Sequence, residues 1–248
     1  MIPEQFQRIA LLLGEEALAC LAAARVAVIG LGAVGSYATE ALARAGVGHL
    51  RLVDFDTVRP SNLNRQLLAL HSTIGRKKID IAAERVRDIN PACDVQALDL
   101  FLHVETLAQA LAPPLDLVID AIDSFRPKVE LLAACRQRNV RVLSSMGAAM
   151  RTDATAVRIA PLSAIGTCRL AARVRKALRR RDVPVDFECV YSVEPPADSL
   201  AAATDDPNEP TFRRGRVRRP LGTLPTITGI FGLTIAHRAM QMLAGPIG

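Results

Sequence analysis

The segment Gly30-Leu-Gly-Ala-Val-Gly35 constrains this chain more than any other, because it lies between a strand-forming run and a helix-forming one. Val26 to Ile29 reads as a short buried parallel strand, and Ser36 to Ala45 as a helix that Gly46 terminates. Glycines at 30, 32 and 35 let the backbone turn tightly and approach a phosphate, and the helix behind them offers unpaired N–H groups to negative charge. A second strand, His49 to Val53, closes on Asp54, where a carboxylate can accept the hydroxyls of a nucleotide ribose. Together these make half of a Rossmann-like α/β fold. On these residues alone, a dinucleotide oxidoreductase fits as well as an ATP-using enzyme.

The alternation needed for a parallel sheet continues. Ile79 to Ile89 reads as a helix stopped by Asn90-Pro91, Asp94 to Leu98 as a strand, and Leu115 to Ile119 as a strand ending at Asp120-Ala-Ile-Asp123. Val129 to Arg138 is then a helix and Arg141 to Ser145 a strand. The prediction is a mostly parallel sheet with helices on both faces. Residues 4 to 22 have helical spacing with a break at Gly14. After residue 147 the pattern changes: a strand at Val157 to Ile159, a basic helix from Leu170 to Arg181, and a Pro-, Asp- and Arg-rich stretch over 197–219 expected to be a mobile loop. The apolar helix Ile227 to Leu243 is expected to pack back on the sheet.

With 248 residues, half of them hydrophobic, the chain can bury one large core, so wholesale disorder is excluded. Arg25 interrupts the one extended apolar stretch, no run reaches the about 20 residues of a bilayer span, and no secretory leader is evident. A cytoplasmic location and no membrane partner are the expectation. Cys20, Cys93, Cys135, Cys168 and Cys189 are scattered singly, without the C-x-x-C pairs of a zinc knuckle or redox dithiol. The net charge of +6 is concentrated between Arg169 and Arg181 and between Arg213 and Arg219. Such patches attract polyanions such as RNA, and they also occur as plain solvated faces.

The sequence after Asp54 favours ATP. Asp54-Phe-Asp56 runs into a polar cluster holding Asn62, Arg65 and Gln66, and Lys78 opens the next helix. A guanidinium and an ammonium near the glycine loop can neutralise a triphosphate, a task hydride transfer does not pose. Asp120 and Asp123 close a strand on the same sheet edge, and Asp123 could hold Mg²⁺ together with phosphate oxygens.

These motifs in this order, with Ser61-Asn-Leu-Asn-Arg-Gln66, Lys78 and Asp120-Ala-Ile-Asp123 following the glycine loop, resemble the ThiF/MoeB/ubiquitin-activating superfamily over residues 4–150. Members of that superfamily adenylate carboxylates with Mg·ATP. Flanking segments, Glu4-Gln-Phe-Gln-Arg8, Ser144-Ser-Met-Gly-Ala-Ala149 and Cys189-Val-Tyr-Ser-Val-Glu194, are similar to the tRNA threonylcarbamoyladenosine dehydratase branch. The resemblance implies a single adenylating domain over 1–248, with an N-terminal helical segment (1–22), a nucleotide-binding core (23–150) and a substrate-side region (151–248). It implies an ATP site of Gly30, Gly32, Gly35, Asp54, Asp56, Asn62, Arg65, Gln66, Lys78, Asp123 and Ser124, with Asp123 as the Mg²⁺ ligand. It also implies a homodimer in which Arg8 of one subunit joins the other's Arg65, Lys78 and Asp123 in catalysis.

The implied reaction is cyclisation of threonylcarbamoyladenosine in the tRNA anticodon loop through an adenylated threonyl carboxylate. Arg173, Lys176, Arg179 and Arg180 would then meet tRNA phosphates, and a cysteine desulfurase or sulfur-acceptor system is a candidate auxiliary partner. The alternative is an adenylyltransferase for the C-terminus of a ubiquitin-like sulfur carrier; relatives of that kind keep two C-x-x-C zinc pairs, which this sequence lacks. Three positions depart from the expected pattern: Ala33, which replaces a glycine and fits only with a negative φ, and Met150 and Arg169 near the substrate side. Cys189 raises the separate question of a thioester-forming nucleophile.

Overall fold

The structure is a computed structural model that describes residues 2–197 and 221–245. Its strands are β1 (Arg25–Ile29), β2 (His49–Asp54), β3 (Asp94–Asp99), β4 (Leu117–Asp120), β5 (Val142–Ser145), β6 (Val157–Pro161) and β7 (Glu188–Ser192). The α-helices are α1 (Gln7–Leu13), α2 (Glu15–Ala23), α3 (Gly35–Arg44), α4 (Lys78–Ile89), α5 (Leu107–Ala110), α6 (Phe125–Gln137), α7 (Arg169–Arg179) and α8 (Pro225–Ala244). The strands form one sheet in the order β3-β2-β1-β4-β5-β7-β6, parallel throughout except for β6, which runs antiparallel to β7.

Side-chain alternation along the strands builds two cores. From β1, Val26 and Val28 face a core with α2, α3, α4 and α8, while Ala27 and Ile29 face the other with α5, α6 and α7. Each fully buried Leu, Ile or Val side chain contributes about 1.5–3 kcal/mol, so both faces are strongly held. Strand order reverses between β1 and β4, whose last residues Ile29 and Asp120 pair in register. The crevice beyond the carboxyl ends at such a reversal is where open α/β sheets bind ligands.

The expected elements are present with shifted ends. α6 begins at Phe125, four residues before the expected Val129, because Pro127 lies in its first turn, where the missing N–H costs nothing. Cys189-Val-Tyr191, which reads only as a motif in the sequence, is the middle of β7, which the sheet recruits as a buried strand. The four-residue α5 has no counterpart among the expected elements. The two helices broken at Gly14 and the apolar helix near the C-terminus form as expected, and α8 lies across α3. There a Cβ on Gly232 would come within 2.5 Å of the Val34 carbonyl oxygen. Of the expected loop over 197–219, only Ala197 is described; the rest lies outside the described residues.

Candidate active site

The glycine loop leaves β1 with Gly30 at φ +92°, a conformation that L side chains rarely adopt. Gly30 donates its N–H to the Val53 carbonyl at 2.8 Å, and a Cβ on Gly35 would sit 1.8 Å from the Gly30 oxygen, so the turn closes on itself. Ala33 is not among the positive-φ residues, so its methyl group is accommodated. The N–H groups of Gly32, Ala33, Val34 and Gly35 have no acceptor among the described residues. Four such donors at the start of a helix can seat an anion.

Asp54 ends β2 beside this loop. Its buried carboxylate accepts the Leu31 N–H at 2.6 Å and the Asp56 N–H at 2.8 Å, which fixes the acid against the glycine turn. Burial pushes its carboxyl above the ordinary value, against the pull of Lys78 and of the two N–H donors. Lys78 is buried at the first position of α4, and its Nζ lies 3.1 Å from Asp56 Oδ2. An ammonium held at a helix N-terminus by one partly exposed carboxylate can be redirected to an arriving polyphosphate.

The segment from Pro60 to Leu67 forms a third wall. Asn62 is buried and its Oδ1 accepts the Arg59 N–H; Arg65 Nη1 donates to the Ser61 carbonyl and to Asn64 Oδ1. The Leu67 N–H reaches Ser36 Oγ, tying this segment to the first turn of α3. Gln66 is buried with its Nε2 3.9 Å from where a Gly32 Cβ would sit, and its Oε1 has no partner. A buried amide oxygen without a donor costs about 1–3 kcal/mol, a deficit that a bound hydroxyl or ordered water would remove.

The loop after β4 forms the floor. The Ala121 N–H donates to the Ile29 carbonyl at 2.9 Å, and the Ala121 oxygen lies 3.0 Å from the Cβ position of Gly30. Asp123 is exposed two residues further on, its Oδ1 accepting from Ser124 Oγ at 3.3 Å. Asp120, which reads in the sequence as a second edge carboxylate, is instead fully buried and paired with Lys128. Sequence reasoning misses Lys128, because a lone lysine in a helical run reads as a surface residue.

Most of the expected ATP site therefore meets at one crevice: Gly30, Gly32, Gly35, Asp54, Asp56, Asn62, Arg65, Gln66 and Lys78, with Asp123 and Ser124 on the adjoining floor. Arg8 does not meet them within one chain. Gln5 Nε2 donates to the carbonyl of Ile89, and Gln5 and Phe6 line a cavity with Arg44 and Ile89. Arg44 and Ile89 are the last residues of α3 and α4, whose first residues are Gly35 and Lys78. At 1.5 Å per residue those helices put the N-terminal segment roughly 13–16 Å from the anion seat.

Helix α7 divides its cations between packing and surface. Arg173 stacks over the Phe125 ring at 4.5 Å, two residues from Asp123, and Arg175 Nη1 donates to the carbonyls of Leu162 and Ile165. Lys176, Arg179 and Arg180 are exposed and line a cavity of about 390 Å³ with Ala172 and Arg175. Cys189 is fully buried on β7 and burial pushes its thiol far up, so it lacks the thiolate character that a thioester-forming nucleophile needs. Burial also pushes Cys135 up to about 12 and Cys93 up to about 11. No helix among the described residues is long and apolar enough to cross a membrane.

Unpartnered N–H groups at a helix start, a buried strand-end acid and nearby cations, all at the reversal of a parallel sheet, form the arrangement of a nucleotide-binding α/β enzyme. The chain belongs to the ThiF family, whose profile matches residues 5–247. It is 45% identical over 240 residues to the tRNA threonylcarbamoyladenosine dehydratase of Bacillus subtilis, covering 96% of this chain and 94% of that protein. Among solved structures it is similar to the Escherichia coli tRNA N6-threonylcarbamoyladenosine dehydratase, TcdA, in complex with ATP, with a TM-score of 0.84, 33% identity and coverage of 97% and 93%. The AMP complex of the same enzyme gives a TM-score of 0.86 at 33% identity, covering 97% and 94%.

Proposed function

We propose that this chain is an ATP-dependent tRNA threonylcarbamoyladenosine dehydratase. Similarity to such enzymes extends over nearly the whole of both chains, one such relative is solved in complex with ATP and with AMP, and the crevice here has donors for a triphosphate. The observation that carries the reading is the anion seat itself: four unpartnered N–H groups at the start of α3, flanked by Asp54, the orphaned Gln66 oxygen and Lys78. The sulfur-carrier alternative lacks its zinc pairs here and is not favoured.

In this reading Asp54 accepts the ribose hydroxyls and the N–H groups of residues 32–35 hold phosphate oxygens. The threonyl carboxylate attacks the α-phosphorus, and pyrophosphate leaves as the acyl–phosphate bond forms. Lys78 and Arg65 turn from Asp56 and Ser61 to stabilise charge on the transferring phosphoryl group, an effect worth about 10²–10³ in rate per donor. A nitrogen of the same modification then attacks the acyl carbon and AMP departs with the carboxylate oxygen, so water is lost overall. Holding both reacting groups on one nucleoside replaces a separate nucleophile with proximity.

Mg²⁺ fits the floor of the site, because Asp123 is an exposed oxygen donor beside the anion seat and such an ion takes one or two carboxylates plus phosphate oxygens. When bound it would neutralise polyphosphate charge. We further read the enzyme as a cytoplasmic homodimer, with Arg8 supplied to the partner's crevice. Leu11 and Leu12, 87% and 79% exposed on the same helix as Arg8, are apolar surface that a second subunit would cover. Lys176, Arg179 and Arg180 would meet tRNA phosphates. The test is nucleoside analysis, under mild conditions, of modified tRNA incubated with the protein and Mg·ATP. Loss of one water from threonylcarbamoyladenosine supports the reading, and unchanged nucleoside together with carrier-dependent pyrophosphate exchange replaces it with the alternative.

A further inference from the structure

The reaction leaves the charged cluster at the end of β4 without a role. Lys128 and Asp120 are both fully buried, and Lys128 Nζ lies 2.6 Å from Asp120 Oδ2. The same ammonium donates to the Ser145 carbonyl at 3.0 Å and lies 3.3 Å from Ser144 Oγ. Ser144 in turn donates its hydroxyl to Asp120 Oδ2 at 2.6 Å, and Asp120 Oδ1 accepts the Ile122 N–H at 3.1 Å. An ammonium has three protons and all three are placed, so the cluster has no donor to offer a ligand. Its free end is mechanical: it joins α6, β4 and β5 to the backbone of the loop that carries Asp123.

Two backbone bonds hold the start of that loop. Ala121 is tied to Ile29 and lies against Gly30, and Ile122 is held by the Asp120 carboxylate. The cluster thus sets where the floor of the site meets the phosphate turn.

We propose that Lys128 is a positioning residue: through Asp120 and the Ile122 N–H it fixes the 121–124 loop so that Asp123 faces the polyphosphate. This rests on the reading of the crevice as an ATP site. Removing a group bonded directly to a metal ligand weakens metal affinity ~10–100-fold, and a support acting through Asp120 and the Ile122 N–H should fall toward the lower end of that range.

The test uses the full-length charge-neutral pair Asp120→Asn/Lys128→Met, which leaves no lone buried ion, and Ser144→Ala, which keeps both charges. ATP binding is titrated calorimetrically with and without Mg²⁺ well below the melting temperature, and amide hydrogen exchange is followed at residues 121–124 and within α3. The expected result for the pair is an apparent Mg²⁺ requirement raised at least ~10-fold and faster exchange at Ile122 and Asp123, with α3 exchange and Mg²⁺-free ATP affinity unchanged. Ser144→Ala should shift both in the same direction by a smaller factor. If the variants merely melt earlier, with wild-type Mg²⁺ dependence and wild-type exchange at 121–124, the cluster is only a structural clamp and the proposal is wrong. A wild type that shows no Mg²⁺-dependent ATP binding overturns the function reading and this proposal together; a normal wild type with unaltered variants overturns this one alone.

Discussion

Two glycines three residues apart should fail in opposite ways when each becomes alanine. At Gly35 the added Cβ would sit 1.8 Å from the Gly30 carbonyl oxygen, where real contacts do not fall below 3.0 Å, so that oxygen must retreat by at least 1.2 Å. It has nowhere to go: the Gly30 N–H is bonded to Val53, and the Ala121 oxygen already lies 3.0 Å from the Gly30 Cβ position. Overpacking of this kind costs about 1–3 kcal/mol or more, and in a chain of this size each kcal/mol lowers the melting temperature by roughly 2–4 °C. At Gly32 the Cβ meets only Gln66 Nε2, at 3.9 Å, so Gly32→Ala should melt within about 0.5 kcal/mol of wild type. Yet that Cβ is added at residue 32 itself, within the run of unpartnered N–H groups. Losing one charge-assisted hydrogen bond there, about 1.5–3 kcal/mol, weakens ATP binding roughly 10–100-fold. Differential scanning fluorimetry and ATP calorimetry on both variants decide the matter. Wild-type ATP affinity in Gly32→Ala, or wild-type melting in Gly35→Ala, would refute the account of the loop.

Arg65→Ala and Lys78→Ala should each fold, by circular dichroism, and lower turnover about 10²–10³-fold in a tRNA-dependent ATP consumption assay; near-normal turnover in both removes them from the mechanism. Heterodimers carrying Arg8→Ala on one subunit and Lys78→Ala on the other should retain about half of wild-type activity, since one intact site remains, whereas a cis-acting Arg8 leaves none. Neutralising Lys176, Arg179 and Arg180 should weaken tRNA binding and reduce the slope of log affinity against log salt by roughly 0.7–0.9 for each phosphate no longer neutralised; an unchanged slope makes α7 a plain solvated face. Asp54 holds its proton more tightly folded than unfolded, because burial raises its carboxyl. The stability of the apoprotein relative to Asp54→Asn should therefore fall as pH rises from the ordinary carboxylate value through the raised one, and level off above it. A relative stability that climbs over that window in thermal melts contradicts the assignment.

The glycine loop, its strand and its helix are legible in the sequence because their signal is local: a β-branched run, three glycines and a helix-forming stretch are contiguous. Asp54 is legible for the same reason, as the last residue of a short strand. Asp120 and Asp123 are not separable in sequence. Three residues apart at a strand end, they look alike, and only the sheet edge decides that the first turns inward to Lys128 while the second faces out. Lys128 is hidden because its burial depends on β5 supplying Ser144 and Ser145, a contact 16–17 residues away. β7 is hidden because its pairing with β5 and β6 is wholly non-local. Conversely, α7 reads as one basic face in sequence, but Arg175 is committed to two carbonyls and Arg181 to Glu130.

The C-terminal third is welded to the nucleotide site rather than appended to it. Helix α8 packs so closely on α3 that Gly232 has no room for a Cβ against Val34 and Tyr37, at the first turn of α3. Just before α8, the Thr223 carbonyl accepts from Asn64 Nδ2, next to Arg65, and the Gly222 carbonyl accepts the Met150 N–H beyond β5. On the other face, Arg173 of α7 covers Phe125 beside Asp123. The glycine-loop wall, the 60–67 wall and the floor thus each have a partner from beyond residue 150. Packed elements of this kind move between discrete arrangements rather than deform continuously, so an event on the surface carrying Lys176, Arg179 and Arg180 has a direct mechanical route to the floor of the site. On the proposed reading, a tRNA gripped at that surface, far from its reacting carboxylate, contributes binding energy to alignment at the α-phosphorus only through connections such as these.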